Sequence, residues 1–310
     1  MHERAPDRVS SMTGSRRSVL MGAAASAVMS LMLAACGRKE QKKAAPVAPT
    51  APAGPPEGSL EWAVEGPWRA GDRPRDEWRH PMETLRFFGL QPRMVVVDFW
   101  PGSGWYTEIL APYLAKGGGT YYAAGFATGA GADPAQAALM ANYEQRFSAD
   151  EKLYGDIQFS AFGAATGPVA PAGTADLALF MRNIHGWMAV GIAEKAFADA
   201  YAALRPGGVL GVEQHRLAPD EDQDPAAANG YVQEAFVRQL AAEAGFVFVA
   251  SSEINANETD TKDHPFGVET LPPLRLTAPR GSPPNPTFDR TRYDEIGESD
   301  RMTLKFRKPE

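Results

Sequence analysis

Residues 94–115 of this 310-residue chain read MVVVDFWPGSGWYTEILAPYLA, and this stretch decides the fold. Its first part, Met94 to Phe99, is a short β-branched run, which is typical of a strand buried on both faces of a parallel sheet. Residues 100–104 form a glycine turn, and the apolar residues between Trp105 and Ala115 recur at helical spacing. The order strand, glycine turn, helix predicts the first unit of an α/β sheet.

The same alternation continues on both sides of this unit. Upstream, apolar residues recur every three or four positions in residues 76–88, which predicts one helix that ends at Gly89. Downstream, the pattern predicts strands at 120–124, 157–162, 175–181, 209–214, 246–251 and 300–306, and helices at 135–147, 192–204 and 231–244. Alternating strands and helices indicate a doubly wound, mostly parallel α/β sheet. A Pro-rich insert, roughly residues 255–298, separates the last two strands.

Composition excludes several classes of function. The net charge is -7 and no dense basic stripe follows the N-terminal region, which argues against nucleic acid as a partner. Cys36 is the single cysteine, so an internal disulfide and a cysteine-rich metal cluster are both excluded. The sequence also lacks a Ser/His/Asp triad signature and a metal motif, and no metal is expected.

The N-terminal region is typical of an export signal. Arg16 and Arg17 precede an apolar run that ends in Leu-Ala-Ala-Cys at residues 33–36, which resembles a bacterial lipobox with Cys36 as the lipidated residue. We therefore expect a signal peptide at 1–36 and an exported lipoprotein held by its lipid on the periplasmic side of a bacterial membrane. The paired arginines resemble a twin-arginine signal, although general secretory signals also carry such pairs. The alternative is a cytosolic protein with an apolar N-terminal helix.

Residues 37–58 are first basic and then rich in Ala and Pro. Such a segment favours extended, polyproline-like conformations and is typical of a spacer. A single folded domain is expected at 59–310.

Four segments, in order, resemble the class I S-adenosylmethionine-dependent methyltransferases: residues 96–104, 174–179, 204–210 and 244–246. More narrowly, residues 101–114 and 182–187 look like a bacterial group described as predicted methyltransferases. The resemblance implies a Rossmann-like methyltransferase fold with a C-terminal antiparallel strand pair, S-adenosylmethionine as cofactor and a small-molecule acceptor. It places the cofactor against four residues: Asp98, Gly102, Gly104 and Tyr106. Each also has a purely structural interpretation in the turn or core.

The chain departs from the family at three places. Trp100 stands where the family has the first glycine of its turn. The second strand ends at residues 122–126 without the acid that bonds the ribose, and residues 162–164 lack the acid near the adenine.

Three polar residues follow the fourth and fifth strands. Asn183 and His185 come after the fourth, where the family places substrate and catalytic groups, and His215 ends the fifth. Histidine can act as a general base near neutral pH, and we expect His185 and His215 to be neighbours at one sheet edge. Residues 263–266 of the insert are expected either as part of a lid or as surface loop.

Three hypotheses remain open. The first is an S-adenosylmethionine-dependent methyltransferase, with its acceptor and oligomeric state unknown. The second is a non-catalytic binding or scaffold lipoprotein that keeps the fold, which export favours because S-adenosylmethionine is a cytoplasmic metabolite. The third is an α/β enzyme that uses another adenosine-containing ligand.

Overall fold

The computed structural model describes residues 54–129 and 131–310. The predicted signal peptide, Cys36 and nearly all of the 37–58 spacer lie outside the described residues. Within the described ranges, no helix has both the length and the apolar character needed to cross a membrane.

Seven strands form one sheet in the order β3-β2-β1-β4-β5-β8-β6. Their bounds are β1 Val95–Phe99, β2 Thr120–Gly125, β3 Gln158–Ala161, β4 Ala175–Met181, β5 Leu204–His215, β6 Val247–Ser252 and β8 Arg301–Arg307, while β7, Pro265–Val268, belongs to the insert. Strands β1 to β5 pair in parallel, and β8 runs antiparallel to both β5 and β6. The doubly wound α/β fold and its C-terminal antiparallel pair are therefore confirmed.

Ten α-helices accompany the sheet in the described part of the chain. They are α1 Leu60–Val64, α2 Asp76–Arg79, α3 Pro81–Phe88, α4 Thr107–Gly117, α5 Pro134–Ser148, α6 Glu151–Tyr154, α7 Ile184–Ala189, α8 Ala193–Ala203, α9 Glu234–Glu243 and α10 Thr291–Ile296. Buried side chains form two clusters, one including residues of α7, α8 and α9 and the other including residues of α1, α3, α4 and α5. Helices on both faces explain why the central strands are apolar throughout.

The helix predicted at 76–88 is in fact two helices. His80 separates α2 from α3 in a left-handed conformation, with φ 38° and ψ 53°. Pro81 follows it, and a proline disfavours the helical conformation of the residue before it. The periodicity was preserved across this break, so the pattern alone did not reveal it.

The sequence predicts a helix that ends at 204 and a strand that begins at 209, but the residues between them, 205–208, already belong to β5. Leu204 already pairs with Ala175, and a register shift between Ala175 and Leu177 absorbs the extra residues. Gly207, with φ 74°, supplies a backbone conformation that other residues rarely adopt. The bulged start does not change the end of β5, where Glu213 pairs with Met181.

The register brings three chain segments to one edge of the sheet. Phe99 at the end of β1 pairs with Phe180 of β4, and Met181 at the end of β4 pairs with Glu213 of β5. The residues that follow β1 and β4, and the last residues of β5, therefore share this carboxyl edge.

Candidate functional site

A cavity of about 290 Å³ lies at the carboxyl edge of β1, β4 and β5. Residues 100–103 and Trp105 line it from the turn after β1, and residues 181–183 line it from the end of β4. The sheet order reverses between β1 and β4, and in doubly wound sheets the ligand crevice lies at such a switch point. The position is the one that the sequence predicted for a ligand.

The insert forms the outer wall of the cavity. Residues 268–269, 271–274 and Arg280 line it. The lid was expected at residues 263–266 as one alternative, but this segment anchors the insert instead. His264 is buried with its Nε2 atom 2.8 Å from Asp260 Oδ1, and the Tyr231 hydroxyl also donates to Asp260.

The two glycines of the turn have different surroundings. Gly102 lines the cavity with φ 61°, and a Cβ atom there would meet no atom within 4 Å. Gly104 has φ 94°, and its Cβ would lie 2.3 Å from the ring of Phe147. Gly102 therefore leaves room for a ligand, whereas Gly104 allows α5 to pack against the turn.

Asp98 and Tyr106 lie beneath the turn rather than on the cavity wall. Both are buried, and Asp98 Oδ2 accepts a hydrogen bond of 3.0 Å from the Tyr121 hydroxyl. Asp98 Oδ1 has no partner among the described residues, and burial raises the pKa of this carboxyl to about 7. The Tyr106 hydroxyl donates to Glu213 Oε2 at 3.0 Å. Both side chains support the turn from below.

Trp100 closes the part of the edge that belongs to β2 and β3. Its backbone has φ 50°, its ring centroid lies 4.4 Å from that of Phe126, and its indole nitrogen donates to the Phe162 carbonyl at 3.0 Å. We call Trp100, Phe126 and Phe162 the aromatic cap. It occupies the strand ends where the family's ribose and adenine acids are missing.

His185 and His215 both line the cavity, and their ring centroids are 5.2 Å apart, as predicted from the strand ends. Burial lowers the pKa of His185, and the pKa of His215 falls well below its ordinary value because it is buried and because His185 and several arginines are close. Both rings are therefore neutral at pH 7.

The contacts of Gln214 determine which ring nitrogen of His185 carries the proton. The Gln214 Oε1 atom accepts from the Ile184 amide, and its Nε2 atom donates to the Gly230 carbonyl, which fixes the orientation of the side-chain amide. Gln214 Nε2 therefore donates to His185 Nδ1 at 3.2 Å, which leaves the His185 proton on Nε2. His185 is thus a hydrogen-bond donor at its other nitrogen. His215 Nδ1 lies 2.6 Å from Ser299 Oγ, and either atom can donate.

Asn183 also lines the cavity, but its amide nitrogen is occupied. It donates to the carbonyls of Phe99 at 2.7 Å and Trp100 at 3.0 Å. This side chain ties the end of β4 to the end of β1.

The cavity wall also carries arginines that sequence reasoning missed. Arg75 and Arg79, from the segment before β1, and Arg182, from the end of β4, all line it. Arg182 is adjacent to Asn183, so its position after a predicted strand was a usable signal. Arg75 and Arg79 are four residues apart and so share one side of a helical turn, but nothing in the sequence placed that turn at the carboxyl edge.

Two buried glutamates hold these arginines. Glu298 accepts from the Nε atoms of Arg79 at 2.8 Å and Arg75 at 3.1 Å, and Arg301 donates to it at 2.8 Å. Arg182 donates to Glu213 at 2.8 Å. Burial alone would raise the pKa of both carboxyls. The positive charges of the neighbouring arginines outweigh this effect, so the pKa of Glu213 is lowered and that of Glu298 is held at about 2.

No group of three or more His, Cys, Asp or Glu side chains suitable for a metal ion occurs in residues 54–129 and 131–310.

Comparisons with known proteins show that this chain is similar to solved structures in its fold. No family model and no curated protein matches the chain. A SAM-dependent methyltransferase from Aquifex aeolicus is 20% identical over 61% of this chain and 90% of its own, with a TM-score of 0.46. A putative methyltransferase in complex with the Haloferax volcanii Trm112 activator is 15% identical over 78% and 95%, with a TM-score of 0.47. A possible exported protein from Bordetella parapertussis is 19% identical over 76% and 68%, with a TM-score of 0.44.

At these values the similarity concerns the arrangement of strands and helices and nothing finer. The strand order and the antiparallel strand between β5 and β6 define the class as a Rossmann-like α/β fold of methyltransferase type.

Proposed function

We propose that this protein is an exported, lipid-anchored methyltransferase that uses S-adenosylmethionine and modifies a small-molecule acceptor. The observation that carries the proposal is the cavity at the switch point between β1 and β4, open above Gly102 and lined by His185 and His215. An open α/β sheet binds its ligand at this place, and the turn after the first strand leaves the backbone accessible.

The two halves of the site differ in their fit to S-adenosylmethionine. On the side of β4, the turn at Gly102 has room for the methionine part. On the side of β2 and β3, the aromatic cap fills the strand ends, so the adenosine part fits only if the Trp100 ring leaves Phe126 and Phe162. When bound, this cofactor supplies an electrophilic methyl group. We assign Gly102 to the methionine part of this cofactor.

The side chains around the cavity have roles that follow from their contacts. His185 presents an N–H group and so orients an acceptor by donating a hydrogen bond. His215 is neutral, and when its Nδ1–H donates a hydrogen bond to Ser299 Oγ, the lone pair on its Nε2 can accept a proton from the acceptor. Asn183 holds the ends of β1 and β4 together, so it positions the site without touching the acceptor. Catalysis would then rest mainly on positioning.

A second candidate is a non-catalytic binding lipoprotein. The aromatic cap favours it, because Trp100 fills the adenosine side with a packed and hydrogen-bonded ring.

The deciding experiment is calorimetric titration of the full chain, purified in detergent, with S-adenosylmethionine and with its demethylated product. We expect binding by the wild-type protein, and at least tenfold tighter binding by Trp100→Gly, which opens the adenosine side and suits the positive φ. Trp62→Ala, a change of a partly buried tryptophan away from the cavity, is the control. If neither the wild type nor Trp100→Gly binds at millimolar ligand, the enzyme proposal fails and the binding protein remains.

Export is tested separately in a bacterial host. Lipid labelling should disappear in Cys36→Ser, and labelling that persists in this variant would refute the lipid anchor.

A further inference from the structure

The charges around the cavity do not balance. Four arginines meet there, and we call Arg75, Arg79, Arg182 and Arg301 the arginine network. Among the carboxylates of the described residues, only Glu298 and Glu213 lie within hydrogen-bonding distance of the three arginines that are most buried. Arg301 is shared between the two, at 2.8 Å from Glu298 and 3.3 Å from Glu213. Asp72 lies 3.8 Å from Arg75 at the exposed end. The arginine network therefore has fewer carboxylates than arginines. This shortage is costly, because buried charge must be compensated.

Arg79 is the residue where this excess is concentrated. The residue is 3% exposed, and both hydrogen bonds that its side chain makes among the described residues leave from Nε toward Glu298. Neither terminal nitrogen has an acceptor in that part of the chain, yet the residue lines the cavity. The Trp105 ring lies 4.8 Å below the guanidinium carbon and holds its plane.

Arg79 and Arg182 differ in their electrostatic situation. Burial, and next the charge of Arg182, lower the pKa of Arg79 to about 9 even though Glu298 is bonded to it. For Arg182 the effect of burial is overcome by Glu213, which raises the pKa. Glu213 therefore offsets the burial of Arg182, whereas Glu298 does not fully offset the burial of Arg79 and the charge of Arg182 beside it.

Further donors converge on the same space. Arg182 uses one terminal nitrogen for Glu213, and its remaining nitrogens have no acceptor in the described part of the chain. The His185 Nε2 proton, assigned by the Gln214 contact, adds a neutral donor to the cavity wall. Arg280, on the insert side, is already paired with Glu269. A guanidinium offers two parallel N–H groups that match the oxygens of a carboxylate or a phosphate.

We propose that this cavity binds the anionic group of a small molecule, a carboxylate or a phosphate, between the guanidinium groups of Arg79 and Arg182, with Arg75 at the rim. In the proposed function, on which this assignment rests, that molecule is the methyl acceptor. The enzyme would then modify acidic small molecules, and His215 would lie beside the bound anion.

The test uses inorganic phosphate and malonate as probes of the two chemistries. Each is titrated calorimetrically into the full chain at constant ionic strength set with chloride, and thermal unfolding is followed in parallel. We expect saturable binding of at least one probe, and a rise in Tm of about 3–5 °C at ten times its Kd. No binding of either probe beyond chloride overturns the proposal.

Arg79→Gln separates a specific site from general charge. Glu298 keeps Arg75 and Arg301 as partners in this variant, so we expect it to fold. It should bind the probe at least tenfold more weakly, with Arg79→Lys between the variant and the wild type. Arg86→Gln removes a cation that is 58% exposed and paired with Glu61, and should leave binding unchanged. Equal weakening by Arg79→Gln and Arg86→Gln would overturn the site.

A second titration, with S-adenosylmethionine in saturating phosphate or malonate, distinguishes the two proposals. An unchanged Kd for the cofactor supports an acceptor site, whereas competition assigns the arginines to the cofactor's own carboxylate and overturns the acceptor assignment. If the anion binds and the cofactor does not, the methyltransferase proposal fails while the anion site stands.

Discussion

The two halves of the carboxyl edge are built from opposite kinds of side chain. At the ends of β2 and β3, the aromatic cap joins Trp100, Phe126 and Phe162 by ring contacts and one indole hydrogen bond. At the ends of β4 and β5, the edge is open and carries Arg182 and His215. Both halves belong to one sheet, so the difference comes from the residues that follow each strand and not from the topology.

In the proposed function, the ligand lies in the half at β4 and β5, and the difference between the halves supports this assignment. Aromatic filling covers a sheet edge without any charge to desolvate, whereas buried charges impose a desolvation penalty that apolar packing avoids. The half at β4 and β5 nevertheless retains the arginine network and two neutral histidines. A charged cavity covered by the insert suits a polar molecule, and Trp100 of the aromatic cap lines its inner side.

The largest effect is expected from removing the counter-charge of the open half. Glu213→Gln leaves Arg182 and Arg301 without the carboxylate that both approach, in a position with no exposure to solvent. We expect the free energy of unfolding to fall by about 3–5 kcal/mol, as when one partner of a buried ion pair is removed. Denaturant titration measures it.

The control for this change is Glu269→Gln in the insert. Its partner Arg280 is 68% exposed, so the loss should stay below about 1 kcal/mol. A loss in Glu213→Gln as small as in the control would mean that the open half does not depend on this carboxylate.

Sequence reasoning recovered what depends on short-range pattern. Runs of β-branched residues predict the buried strands. The proximity of His185 and His215 follows from the rule that the carboxyl ends of parallel strands lie at one edge of the sheet. The break at His80 was not predicted, because the helical periodicity of apolar residues continues through Pro81. The place of Arg79 in the cavity wall was not predicted, because its partner Glu298 is 219 residues away and the two meet only in the folded chain.

A smaller effect should separate the two glycines of the turn, because Gly102 borders the cavity and Gly104 packs against α5. Gly104→Ala places a Cβ 2.3 Å from Phe147 at φ 94°, so strain and overpacking together should cost about 3 kcal/mol. Gly102→Ala meets open space at φ 61° and should cost about 1 kcal/mol. Unfolding of both variants in parallel measures the difference. Equal costs would remove the distinction between a packing glycine and a glycine that borders the cavity.

A pH-dependent effect is expected at Asp98, which lies near the end of β1 on the boundary between the halves. Burial raises its pKa from 3.8 to about 7, so the folded state keeps a proton that the unfolded state loses, and stability from this group falls as pH rises through that window. Each unit of this shift corresponds to about 1.4 kcal/mol, so Asp98→Asn should be more stable than the wild type by about 4 kcal/mol at pH 8 and nearly equal to it at pH 4.

The comparison between variant and wild type must be made at each pH separately. His185 and His215, with lowered pKa values, take up protons more readily when unfolded, so their contribution to stability is lost as pH falls and opposes that of Asp98. The difference between the two proteins cancels this contribution as long as Asn at position 98 keeps the Tyr121 contact. A gain of the same size at pH 4 and pH 8 would show that the pKa of Asp98 is not raised in the folded protein and that the carboxyl is charged at neutral pH.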